Sequence, residues 1–207
     1  MEGDDALARI YEYAGIRPVI DDTAFVHPEA VVIGDVIIGP GVYVAPFVSL
    51  RGDMGRLIIE EGANIQDNCV MHGFPGKECV IEPDGHIGHG AILHGSRVGR
   101  NALVGMNATV MDGAVIGENA FVAAMAFVKA GFEVPAGHLV SGIPAGVVRP
   151  LDPSEIAWKS KGTAEYRELA QMSRRTLQPC TPLRAVEPNR KRCPSLTDIR
   201  PKFETPS

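Results

Sequence analysis

Four of the six histidines in this chain, His72, His86, His89 and His94, fall within 23 residues. Imidazoles gathered at that density are the raw material of a transition-metal site. Zinc takes ligand nitrogens at about 2.0 to 2.1 Å, and a histidine nitrogen reaches roughly 6 Å from its Cα, so two ligands of one ion need Cα atoms within about 13 Å. On a straight strand the steps from His89 to His94 would span about 16 Å, and their odd separation turns the rings to opposite faces. Either a corner folds between them, or one ligand comes from a second copy of the chain. Cys69, just before this cluster, is turned away from His72 by the same parity and reads as a small buried hydrophobe. His27 and His138 stand apart and read as surface groups.

The element that positions these rings is written as a repeat. Apolar residues recur at every sixth place at Val98, Val104, Val110, Ile116, Val122, Val128, Val134 and Val140, with alanines at 102, 108, 114, 120 and 126 between them. A helix cannot keep that step against its own period, and the glycines at 95, 99, 105, 113 and 117 would each weaken it by about 1 kcal/mol. On short strands the valine and the alanine four places on share a side and fill a narrow interior. Weaker hexads run through Val26, Val32, Ile38, Val44 and Leu50, then in shifted phase through Ile59, Ile65 and Met71. The pattern resembles the hexapeptide-repeat family, which implies an all-β solenoid: a left-handed parallel β-helix with triangular coils. An antiparallel sandwich would not hold so strict a step. The array is placed at residues 20–150, behind an N-terminal segment 1–19. Because a triangular prism packs naturally about a threefold axis, a homotrimer with metal at its seams is expected.

Two breaks in the rhythm flank the histidines: residues 73–85 read as a loop, and one residue is missing between Ile87 and Val98. After Pro150 the pattern turns helical. Asp152-Pro153-Ser154-Glu155 is a capping-box-like start to a helical segment 151–178. Its apolar stripe is Ile156, Trp158, Tyr166, Leu169, Ala170 and Leu177, and Gly162 divides it into one or two helices. Residues 179–207 are proline-rich, basic and expected to be an extended tail. Trp158 and Tyr166 read as helix packing. The run Arg190-Lys191-Arg192 reads as solvated charge, or as a contact to the phosphates of an acyl-CoA.

The segments Leu50-Arg51-Gly52-Asp53, Asn64-Ile65-Gln66-Asp67, Val70-Met71-His72, Gly88-His89 and Leu93-His94-Gly95 resemble the γ-class carbonic anhydrase family, and longer runs resemble its branch associated with phenylacetate degradation. The resemblance implies a trimer in which His72 and His94 of one chain and His89 of the next hold Zn2+, with Fe2+ or Co2+ suited to the same donors. It implies further that Gln66 orients the reacting water and that Arg51, Asp53, Asn64 and Asp67 occupy interface or ligand-supporting positions. His86 reads as a turn or supporting histidine. Where the best-known γ-class enzymes carry a proton-transferring glutamate this chain has Met54, leaving Glu78, Glu82 or Asp84 as candidate shuttles. The activity implied is metal-dependent hydrolysis of aryl or ring-modified acyl-CoA thioesters, because water on such a cation ionises near pH 7. The alternatives are CO2 hydration to bicarbonate, hexapeptide acyl transfer with a lone histidine base, and a non-catalytic trimeric partner.

Composition bounds the rest. The chain has 207 residues, 45% of them hydrophobic, enough for one core plus appendages. Residues 1–150 carry 9 basic and 18 acidic groups, whereas residues 151–207 carry 11 and 7, and the net charge is -5. That balance argues against nucleic acid. The longest apolar run, Ala120–Val128, is too short for a membrane span, the N-terminus has no secretory pattern, and four cysteines lack paired spacing. A cytoplasmic protein without membrane or nucleic-acid partners is expected.

Overall fold

Parallel strands stack coil upon coil in a computed structural model that describes residues 9–194 and 196–204. Residues 1–8 of the expected N-terminal segment, and residues 195 and 205–207 of the expected tail, lie outside the described residues. On one face of the prism Phe25–Val26, Tyr43–Val44, Asn64–Ile65, His86–Ile87, Leu103–Val104, Phe121–Val122 and His138–Gly142 pair in parallel, and Ala145–Pro150 closes that sheet antiparallel. A second face carries Val70–His72, Ile92–His94, Thr109–Val110 and Phe127–Val128. A third carries Glu78–Ile81, Arg97–Val98, Val115–Ile116 and Glu133–Val134. The longer strands Val31–Ile38 and Ser49–Ile59 run round the corner between these two faces. The architecture is the left-handed β-helix that the hexads imply, of about seven turns with one C-terminal helix.

The hexads work as steric spacers. Val98, Val104, Val110, Ile116, Val122 and Val128 point inward and are fully buried, as are the alanines between them. Each buried valine or isoleucine contributes about 1.5 to 3 kcal/mol of transfer free energy. The two irregularities also have structural addresses. Register partners His72 and His94 lie 22 residues apart, against the 18 that separate corner residues Asn101 and Asn119 one coil on. The extra residues emerge at Gly73–Lys77, and Glu78–Ile81 is a strand of the third face, so the expected loop 73–85 is shorter than its composition suggests. The missing residue falls in the corner after Leu93, because Leu93 pairs with Val110 but Val98 pairs with Ile116. Parallel pairing starts at Arg9–Tyr11 against Val31–Ile33, inside the segment that the sequence pattern leaves outside the array.

Helix α1 (Pro153–Thr176) starts at the Asp152 capping box and runs unbroken through Gly162. The face it buries is mostly polar, Glu155, Lys159 and Thr163, and of the apolar stripe read from the sequence only Ala170 is fully buried. The cause is the surface beneath it. A column of coil corners presents polar groups, and Lys159 Nζ donates to the Asp84 carbonyl at 2.6 Å and to Asn101 Oδ1 at 2.8 Å. Hydrogen bonds from Arg149, then Lys202, hold the Glu155 carboxyl well below the usual range. From residue 177 to residue 194 the chain is exposed and irregular, with a turn at Pro188–Asn189. It then returns to α1, where the Trp158 indole donates to the Arg200 carbonyl at 2.9 Å and Lys161 meets Asp198 at 3.1 Å. No helix among the described residues is long and apolar enough to cross a membrane, and the four cysteines are free.

Burial pushes the Lys159 amine down to about 7, whereas in the unfolded chain it stays charged to about 10.4. Between those values the unfolded chain binds more protons, so the folded state gains stability as pH rises. Denaturant melts of wild type and Lys159→Met from pH 6.5 to 9.5 should therefore show the wild type gaining relative to the variant with rising pH.

Candidate metal centre

His72 and His94 are brought together by register. They are cross-strand partners on adjacent coils, each ending a strand whose preceding residue, Met71 or Leu93, points into the core. The two rings lie 5.2 Å apart between centroids, and His72 Nδ1 is 3.2 Å from His94 Nε2. The opposite nitrogen of each ring meets a carboxylate: His72 Nε2 meets Asp53 Oδ1 at 3.0 Å, and His94 Nδ1 meets Asp112 Oδ1 at 2.6 Å. A carboxylate only accepts, so each of those nitrogens carries the ring proton. In the neutral rings the two nitrogens that face each other are then both bare.

Two lone pairs at that distance repel unless a proton, which would charge one ring, or a metal cation lies between them. Adjacent donor atoms on a tetrahedral zinc are separated by about 3.3 Å, given ligand bonds of about 2.0 to 2.1 Å. The facing nitrogens fit that edge, and the carboxylates behind them are the support that metal-bound imidazoles ordinarily have. Arg51 Nη1 grips both oxygens of Asp53, at 2.8 and 3.0 Å. Partial burial pushes the Asp53 carboxyl up, but the hydrogen bonds from Arg51 and His72 outweigh it and leave the group below its usual range. Gly95 is required here: its φ is +56°, and a Cβ on it would stand 2.7 Å from the Asp112 oxygen that His94 uses.

The remaining expected residues gather at a different corner. His89 Nδ1 meets Asp67 Oδ2 at 2.7 Å, with the His89 side chain 44% exposed. Gln66 Nε2 donates to Asn64 Oδ1 at 3.1 Å and lies 2.7 Å from His86 Nε2. Within one chain, Gln66 and His89 do not join the His72–His94 pair, and no set of three His, Cys, Asp or Glu able to hold a metal forms among the described residues. The expected shuttles are mostly engaged: Glu82 binds Arg97 at 2.6 Å and the Arg100 amide at 2.9 Å, and Asp84 binds Arg167. Glu78 has no ion pair among the described residues, and Met54 is exposed. Cys69 is buried, and burial raises its thiol to about 11.

Two contributors escaped the sequence reading. Asp112 sits one coil beyond His94, a stacking that the 18-residue repeat would have revealed. Phe74, in the protruding loop, packs edge-on to His94 at 5.2 Å. Tyr166 of α1, expected to pack the helix, does so edge-on against His86 at 5.3 Å.

Carnitine operon protein CaiE of Salmonella newport (strain SL254) is 55% identical over 192 residues, covering 93% of this chain and 97% of that protein. The chain belongs to the CaiE family of hexapeptide-repeat proteins. CaiE of Salmonella enteritidis PT4 (strain P125109) matches to the same extent. Residues 17–52 and 95–130 of this CaiE-family chain match the family described as bacterial transferase hexapeptide (six repeats). Among solved structures, a hexapeptide transferase family protein from Anaplasma phagocytophilum is 39% identical, with a TM-score of 0.76, over 78% of this chain and 96% of that one. A Bacillus cereus protein provisionally named an acetyltransferase is 33% identical, with a TM-score of 0.80, over 81% and 98%.

The carboxylate behind His94 gives a direct test of the centre. Asp112→Asn should weaken zinc binding by about 10- to 100-fold, read by competition against a chromophoric chelator, with the melting temperature little changed. Unaltered affinity would detach Asp112 from the site.

Proposed function

We propose that this chain forms a homotrimer whose seams hold Zn2+, Fe2+ or Co2+ between His72 and His94 of one subunit and His89 of the partner subunit. The assembly hydrolyses acyl-CoA thioesters in the cytoplasm. The observation that carries this reading is the pair of ring nitrogens facing each other at 3.2 Å, each ring backed by a carboxylate on its other nitrogen. A cation held there supplies Lewis acidity toward a carbonyl oxygen and toward water. The chain's own residues do the rest. Asp53 and Asp112 keep the ring protons away from the metal side, and Arg51 fixes Asp53. Gln66 accepts a hydrogen bond from the reacting water.

Beside His94 a groove of about 670 Å³ is lined by Phe74, Pro75, Val80, Val115, Lys77 and Asp112, among others. An apolar wall with one free lysine at its edge suits an aryl acyl group whose carrier is anionic. Runs such as GANIQDNCVMHGFP and PLRAVEPNRKR resemble the phenylacetic acid degradation protein PaaY, which favours aryl or ring-modified acyl groups.

A second reading has its own support. The comparison names, hexapeptide transferase and acetyltransferase, stand closer to acyl transfer than to hydrolysis. In that reading an amine or alcohol replaces water as acceptor, and a histidine serves as base without metal. CO2 hydration is expected to be slow, because Met54 cannot carry a proton.

Free CoA released from phenylacetyl-CoA by the purified protein should fall to background after chelation and return with Zn2+, without any added acceptor. Metal-independent release that needs an amine acceptor would transfer the case to the second reading. Phe74→Ala should raise KM for phenylacetyl-CoA by about tenfold, the worth of one aromatic contact, and leave acetyl-CoA hydrolysis unchanged.

A further inference from the structure

Gln66 has two N–H bonds and one carbonyl oxygen, and its value to the proposed chemistry depends on which of them faces the reacting groups. Its nitrogen lies 3.1 Å from Asn64 Oδ1 and 2.7 Å from His86 Nε2. His86 is closed over edge-on by Tyr166. Burial, then the nearby charges of Lys159 and His89, push its ring down to about 3. The ring is therefore neutral, with one nitrogen protonated and one bare.

Two arrangements are available to these three side chains. With Nε2 bare, Gln66 donates both its N–H bonds, to His86 and to Asn64, and only the 3.3 Å approach of Asn64 Nδ2 to His86 Nδ1 goes unmade. With Nε2 protonated, the Gln66 amide must turn over to accept from the ring, and Asn64 must turn over with it to donate to the Gln66 oxygen. That reverses the orientation the structure gives both amides, in which Gln66 Nε2 donates to Asn64 Oδ1 at 3.1 Å, and it sets the Asn64 oxygen against a bare Nδ1 at 3.3 Å. The first arrangement keeps both amides as the structure places them and loses only the longest contact. In it the Gln66 oxygen has no partner among the described residues and is not sealed from water.

We propose that His86 is a positioning residue: held under Tyr166 of α1, it draws the Gln66 N–H bonds inward and leaves the carbonyl oxygen to accept a hydrogen bond from the reacting water. The inference rests on the hydrolytic reading for its consequence, but not for its geometry. The C-terminal helix becomes part of the active apparatus through one ring contact. Gln66 is thereby committed as an acceptor; it cannot donate to an oxyanion.

Protein labelled with 15N-histidine tests the geometry without turnover. Long-range 1H–15N correlations at pH 7 should show neutral His86 as the Nδ1–H tautomer; the Nε2–H tautomer or a charged ring would overturn the proposal. Kinetics test the consequence. His86→Leu should lower kcat for phenylacetyl-CoA about 10- to 100-fold, with KM, metal content and trimer melting unchanged. His86→Gln, which still offers an acceptor to Gln66, should recover part of that loss. An unchanged kcat in His86→Leu, or equal losses in both variants, would overturn it. A wild type that releases no CoA would sink the hydrolytic reading alone and leave the tautomer measurement to decide the geometry.

Discussion

The hydrogen-bonded register between successive coils is the constraint from which the other features follow. Parallel strands on each face lock every residue over the one a fixed number of places earlier, so a functional group can be built by stacking single side chains from neighbouring coils. His94 over His72 is such a stack, and Asp112 one coil beyond extends it. The four-residue excess at Gly73–Lys77 and the shortened corner after Leu93 bracket this pair and are absorbed without breaking the register on either side.

That arrangement also explains why the chain carries its chemistry at two corners. On one, carboxylates take the outer ring nitrogens and leave the inner ones bare and opposed. On the other, His89 is tied to Asp67 and Gln66 is tied to Asn64 and His86. Neither half has three donors among the described residues, and in the assembly proposed above the one corner is completed by the other corner of a second copy. Polar cost is managed in the same economical fashion: nearly every titratable group near these corners is hydrogen-bonded.

Much of this was legible from spacing. Val98 through Val140 state the period, the alanines state the narrowness of the interior, and Asp152 with Glu155 states where α1 starts. The helix face was not legible, because Lys159 is buried against corner oxygens that come together only after the coils have stacked, and no apolar pattern announces such a surface. Of the one or two helices expected there, one forms, because a single glycine costs only about 1 kcal/mol within a helix. Asp112 was not legible as a supporting group because only the stacking of coils, 18 residues apart, sets it behind His94. Thioester hydrolysis was a matter of resemblance, and the names of the relatives lean toward transfer.

The most direct test of a shared centre is metal content after mixing two crippled chains. His89→Ala keeps the His72–His94 pair, and a His72→Ala, His94→Ala double variant keeps only His89, so neither should bind zinc as a homotrimer. Co-expressed and purified as mixed trimers, they should recover zinc at seams where an intact pair meets an intact His89. Mixed trimers that stay metal-free, or a His89→Ala homotrimer that binds a full complement, would contradict the account.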